Sequence, residues 1–350
     1  MTLVTARSTC AAVALAAALV APAGATTTTA PPKTAVPRTA VAPQRSARRV
    51  QFSLLTMYEH PPRDKQGFDV WVPIPVESEG QKIIDLVIYS PGEAGIETEP
   101  ANGNRMTHVH SGPRGGVALS VNTKFTLERQ EVRHPDLRTK PAVAPEKPVN
   151  LAAYLKGDRL APLDSDVKSL ASKVIAGKSD PVDRARAIYD YVVLNIKYGR
   201  SGSGWGQGDL KYALTAKSGN CTDLNVVFES LARASGIPAR LVTGFKLPAD
   251  APEGTLTEHH CWSEFYLDGQ GWIPVDPVDG AAPGGRRDYY FGNLDADRIA
   301  YSVGRDVVLS PPQSGASINF LLYPYAEADG QPLSGAAYIF SWKEGAPSKP

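Results

Sequence analysis

Residues 219–245 read GNCTDLNVVFESLARASGIPARLVTGF, and the stretch changes period half-way along. Leu224, Val227, Phe228 and Leu231 recur at the spacing of one helix face, Gly236 and Pro238 end the run, and ARLVTGF reads as a strand. Asn220 is a favoured N-cap, and Asp223 lies three residues on, where an acidic side chain can reach back to the cap's N–H. Cys221 therefore takes the first helical position. Unpaired N–H groups and the positive end of the helix dipole favour a thiolate there. A cysteine serving as filler would sit on the apolar stripe instead. Gly219 leaves room for something to approach the sulfur.

A nucleophilic thiol needs a base, and the base needs a group to orient it. Residues 260–276, HCWSEFYLDGQGWIPVD, supply both. As a strand, 260–267 puts His260, Trp262, Glu264 and Tyr266 on one face and Cys261, Ser263, Phe265 and Leu267 on the other, together with His259. A three-residue loop, 268–270, sets Leu267 opposite Gly271 and position 276 opposite Trp262. Asp276 then lies diagonal to His260, within side-chain reach. A thiol at a helix start facing a His–Asp pair is the cysteine form of the nucleophile, base and orienter arrangement.

These residues resemble the transglutaminase-like domain, a papain-type cysteine enzyme fold. The family pattern joins a Gly-x-Cys helix start, a Gly-Ile-Pro-x-Arg exit, His-x-Trp-x-Glu and Gly-Trp-x-x-x-Asp. Gly219 to Cys221, Gly236 to Arg240, His260 to Glu264 and Gly271 to Asp276 match it without a gap. The resemblance spans 180–280, and extends more weakly to 50–132 and to FGNLDADRIAYSVGRD. It implies Cys221 as nucleophile, His260 as general base and acid, and Asp276 as orienter. The implied chemistry is thiol acyl transfer on amide or peptide substrates, with hydrolysis favoured over transamidation and no cofactor or metal. The implied partner is a protein or peptide, cell-envelope material included. Some members add an upstream aromatic at the oxyanion, for which Trp205 in GRSGSGWGQG (199–208) is the candidate; a hydrophobic anchor is the other reading of Trp205. A non-catalytic peptide- or cell-wall-binding module with a vestigial triad is the alternative function.

Other readings of the same residues stand beside these. A Cys221–Cys261 disulfide is the structural alternative, and strand parity argues against it: if His260 faces Cys221, Cys261 points away. Cys261 then reads as a small buried residue, and His259 as a capping or hydrogen-bonding one. His108 and His110 could be two metal ligands on one strand face, with no third nearby in sequence. His60 and His134 sit beside prolines and read as loop residues. Glu264 and Arg240 read as an internal pair.

The rest of the chain sets the context. Met1–Arg7 carries one positive charge, residues 10–22 are apolar up to Pro22, and Ala23-Gly24-Ala25 is a small-x-small site. That is the layout of a secretory signal peptide over 1–25, cleaved near Ala25, and it predicts a secreted or periplasmic protein. No later run approaches the length of a membrane span. Residues 26–49 are rich in Thr, Pro and Ala and predict a disordered tether. The 49 leading residues hold six of the 37 basic side chains and none of the 36 acidic ones, so residues 50–350 carry 31 basic against 36 acidic, a net of −5. That balance argues against a nucleic-acid partner. Alternating runs at VQFSLLTMY, FDVWVPIP, KIIDLVIY, RMTHVH and GVALSVNTKFTLERQEV predict a small all-β domain over 50–134. Prolines at 135, 141, 145 and 148 mark a linker over 135–150. The resemblance implies a transglutaminase-like catalytic domain with a C-terminal β extension over 151–345; helices preceding antiparallel strands predict the α+β class. INFLLYPY and AAYIFSW supply further strands in its tail.

Overall fold

The computed structural model describes residues 45–345 apart from 60–67, 92–93, 112–117, 140, 142–144, 146–147, 149 and 201. The signal peptide over 1–25, the tether up to residue 44 and His60 lie outside the described residues.

Helix α1 (Ser165–Val174) starts at Asp164, whose carboxylate accepts from the N–H of Asp166 and Val167. Helix α2 (Pro181–Asn195) starts at Asp180 with proline in its first turn, where the missing N–H costs nothing. A short helix, α3 (Leu210–Ala216), follows, and Asp209 caps it. Sequence periodicity did not show α3, because seven residues hold too few turns to display a stripe. Helix α4 (Cys221–Ala234) is the centre of the domain, with every residue from Cys221 to Arg233 buried. Helices α1, α2 and α3 pack on one side of it, and the strands Ala239–Lys246 and His260–Leu267 on the other.

The sheet beneath α4 has four antiparallel strands in the order Gly271–Val275, His260–Leu267, Ala239–Lys246, Arg298–Val303. Leu267 pairs with Gly271 and Ser263 with Val275, the register that a 268–270 loop predicts. Two five-stranded sheets cover the rest. One runs Glu253–Leu256, Ala337–Glu344, Ala47–Tyr58, Leu119–Gln130, Gln81–Tyr89; the other runs Gln331–Pro332, Tyr325–Ala328, Phe68–Ile74, Arg105–Ser111, Ala94–Thr98. The described residues thus combine an N-terminal all-β region with an α+β core, as one compact unit. Their apolar interiors are continuous: Phe52, Phe125 and Phe340 share a cluster with Phe245 and Tyr301 of the four-stranded sheet.

Three details differ from the sequence reading. The first strand begins at Ala47 rather than 50, and Arg48 is buried in it because Asp297 (2.8 Å) and Glu344 hold its guanidinium. The run INFLLYPY forms a strand only from Tyr325, for Leu321 and Leu322 bury themselves in two different clusters and the chain bends between. His108 and His110 both bond the Asp69 carboxylate, at 2.8 and 3.0 Å, which gives them a structural acceptor across the strand pair.

Helix α4 also buries a carboxyl. Glu229 is wholly enclosed, near Arg233 (3.3 Å) and Ser263 (3.3 Å), and burial pushes its pKa up to about 7. An acid whose folded pKa lies above its unfolded value stabilises the fold fully only below the unfolded value, and that contribution is lost as pH rises through the folded one. Stability is therefore expected to fall between about pH 4.5 and about pH 7 on account of this group. Glu229→Gln is expected to flatten that slope and gain on the order of 3 kcal/mol at neutral pH. Urea melts across the range would check it; an unchanged slope in the variant would remove Glu229 as the cause.

Candidate active site

The Cys221 end of the candidate site is built by capping. Asn220 Oδ1 accepts from the N–H of Thr222 (2.9 Å) and Asp223 (3.4 Å), while Asp223 Oδ2 accepts from the Asn220 N–H (2.9 Å). Both halves of the capping box are formed, and Cys221 begins the helix as its sequence predicts. Asp223 does a second job. Its carboxylate also accepts from Gly206 (2.6 Å) and Gly208 (3.0 Å), tying the glycine-rich loop against the helix start. This assigns Gly219 a different role from the predicted one. A Cβ there would meet Asp223 Cβ at 2.3 Å, so the glycine makes room for the capping carboxylate rather than for a substrate.

The His260 end is built by a hairpin and a buried ion cluster. His260 Nε2 donates to Asp276 Oδ2 at 2.7 Å, leaving Nδ1 as the nitrogen available to take a proton. Asp276 caps the short helix α5 (Pro277–Ala281), its Oδ1 accepting from Val278 and Asp279 at 3.0 Å each. Arg298, with no exposed surface, bonds Asp276 Oδ2 at 2.7 Å, Asp295 Oδ1 at 3.2 Å, and Asp279. Burial works to raise the Asp276 pKa, but the charges of His260 and Arg298 outweigh it and hold the carboxyl well below the usual range. An ionised Asp276 can only accept, which fixes the His260 proton on Nε2.

The two halves meet at the end of the sheet. Helix α4 lies on the face that carries Cys261, Ser263 and Phe265: Asn225 Nδ2 donates to the carbonyls of Cys221 (2.8 Å) and Cys261 (3.0 Å), and Ser263 Oγ donates to Asn225 Oδ1 (2.8 Å). The expectation that Cys261 turns away from Cys221 therefore fails. Both sulfurs and a His259 ring nitrogen lie within 4.8 Å of one another. Parity misled because the thiol sits where the strand begins, and the helix covers the face opposite His260. The two cysteines are nevertheless free thiols. The Cys261 S–H holds the Cys221 thiol well below its ordinary value; burial opposes this, and His259 and His260 reinforce it. Cys261, enclosed beside that charge, is pushed up.

His259 is the hydrogen-bonding residue its position predicts, with Thr222 Oγ1 at 3.3 Å and Tyr323 OH at 3.2 Å. Arg240 and Glu264 pair at 2.7 Å. Trp205 lies in the loop held by Asp223, 37% exposed, with the Arg200 guanidinium 5.4 Å over its ring. Sequence reasoning missed Arg298, Asp279, Asp295 and Asn225. An Asp-x-x-Arg inside the apolar run LDADRIAYSV, and an asparagine inside the stripe of α4, were the available signals.

Residues 168–277 match the transglutaminase-like superfamily. A solved chain from Cytophaga hutchinsonii, described as a "Putative Cysteine Protease", superposes with a TM-score of 0.55 at 18% identity, covering 88% of this chain and 94% of that one. The fold is transglutaminase-like. An uncharacterized protein of Haemophilus influenzae is 29% identical over 311 residues, covering 78% of this chain and 84% of its own. A protein-glutamine gamma-glutamyltransferase of Pseudomonas aeruginosa is 35% identical over 77 residues, which cover 21% of this chain and 12% of that protein. Among the described residues, no helix is long and apolar enough to cross a membrane.

Proposed function

We propose that this chain is an exported cysteine enzyme that transfers acyl groups from amide or peptide substrates through a Cys221–His260–Asp276 triad. The observation that carries the reading is the His260–Asp276 bond of 2.7 Å, which fixes one imidazole nitrogen beside a thiol of depressed pKa. The Cys221 thiolate attacks the amide carbonyl carbon, His260 gives a proton to the departing amine, and a thioester forms. Water, deprotonated by His260, then adds to the thioester; collapse returns the thiol and releases a carboxylic acid. An amine in place of water would give cross-linking, and we favour hydrolysis. The N–H of Cys221, with Trp205 as side-chain candidate, would face the oxyanion. The substrate would be protein or peptide, cell-envelope material included, and the signal-like residues 1–25 support a secreted or periplasmic location.

The alternative, a peptide- or wall-binding module without catalysis, draws on one observation: Cys221 is only 2% exposed. Alkylation separates the two. Iodoacetamide is expected to label Cys221 with a midpoint well below the ordinary thiol value of about 8.5, moving upward in His260→Ala. A midpoint at the ordinary value would sink the enzyme reading. A screen of peptide hydrolysis against amine incorporation, with Cys221→Ala as the inactive control, would then decide the acceptor.

A further inference from the structure

We propose that Cys221, Cys261 and His259 form a binding site for one thiophilic divalent cation of the Zn²⁺ class. The three donor atoms lie within 4.8 Å of one another. Tetrahedral zinc with bonds of about 2.3 Å to sulfur needs its thiolates about 3.8 Å apart, so closure asks for a contraction of no more than about 1 Å. Two sulfurs and one imidazole select a soft cation over Mg²⁺ or Ca²⁺, which demand oxygen.

The surroundings fit such a site. Thr222 Oγ1 lies 3.3 Å from His259 Nε2 and 3.6 Å from Cys261 Sγ, so one hydroxyl marks the point where nitrogen and sulfur converge. His259 Nδ1 bonds Tyr323 OH at 3.2 Å, the outer contact that orients a metal-binding imidazole. The sulfurs are buried and the His259 ring is half-buried, which leaves a route in from that side. The other cluster of donors, His260 with Asp276 and Asp279, is a poor competitor. Arg298 and Lys246 already neutralise its carboxylates.

On binding, the hydrated cation exchanges three waters for two sulfurs and one nitrogen. Any thiol proton still present leaves to solvent, so the site gains no net charge from the thiolates and cation together. The metal would occupy the Cys221 lone pair and stop it attacking a carbonyl; that consequence rests on the function proposed above, whereas binding itself does not.

Co²⁺ added to the reduced full chain is expected to give thiolate charge-transfer absorption and intense tetrahedral visible bands at one equivalent, displaced by Zn²⁺. Cys261→Ser and the half-buried His259→Gln are each expected to weaken binding about tenfold or more, while His260→Ala retains it. Circular dichroism of each variant would establish that it folds. Absence of the bands in the unaltered chain, or equal affinity in folded His259→Gln and Cys261→Ser, would overturn the site. If Co²⁺ binds as expected but no substrate is turned over, only the enzymatic reading fails; turnover that Zn²⁺ at saturation leaves unchanged would overturn the cation's contact with Cys221.

Discussion

Asp276→Asn is expected to lower kcat by about ten-thousand-fold on any substrate that Cys221 turns over. The asparagine keeps the Oδ1 that accepts from Val278 and Asp279, so the α5 cap survives. What changes is the atom facing His260 Nε2 at 2.7 Å. An amide nitrogen placed there donates, forcing the imidazole proton onto Nδ1, where it can no longer accept the thiol's proton. Arg298 bonds the same Oδ2 and meets that NH₂ as well; if instead the amide oxygen faces both His260 and Arg298, the NH₂ meets the N–H groups of Val278 and Asp279 and the α5 cap is lost. Steady-state kinetics beside a melting curve would check it. Activity within tenfold of the unaltered chain, at equal stability, would remove Asp276 as orienter.

Arg298→Met is expected to be the most damaging stability change, about 3–5 kcal/mol, because it strips the compensating cation from carboxylates already taken out of water. Asp276, Asp279 and Asp295 all bond this one guanidinium, and Lys246 bonds Asp279 alone among them. The deficit carries a pH signature. Without Arg298 the carboxyls left behind would have folded pKa values above their unfolded value of about 3.9, so the variant should recover part of its loss as pH falls toward that value. Denaturant melts at neutral and acid pH would measure both terms. A loss below about 1 kcal/mol would mean that water or rearranged side chains replace the arginine.

The geometry of the candidate site was legible because its signals are local. Asn220 and Asp223 announce a helix start within four residues, and the 268–270 turn sets the register of His260 against Asp276. What could not be read is contact between distant segments. Arg298 reaches Asp276 across 22 positions and a strand crossing that no period encodes. Parity correctly sorted the faces of 260–267, yet it could not say which face α4 would cover, and so it sent Cys261 the wrong way. Gly219 was misassigned for a related reason: the atom filling its empty space, Asp223 Cβ, is a capping contact whose volume the letters do not show. The domain division at 134 and 150 remains a proposal, since the sheets of the described residues draw strands from both ends of the chain.

The edge strand Glu253–Leu256 ends four residues before His260, and its neighbour in the sheet is Ala337–Glu344, which pairs in turn with Ala47–Tyr58. Val50 meets Glu344 in register, and Arg48 bonds both Glu344 and Asp297. Pairings so far apart in sequence close slowly and late. The segment leading into His260 is thus anchored only through strands from both ends of the described residues, so its ordering is expected to depend on closing these long-range pairings.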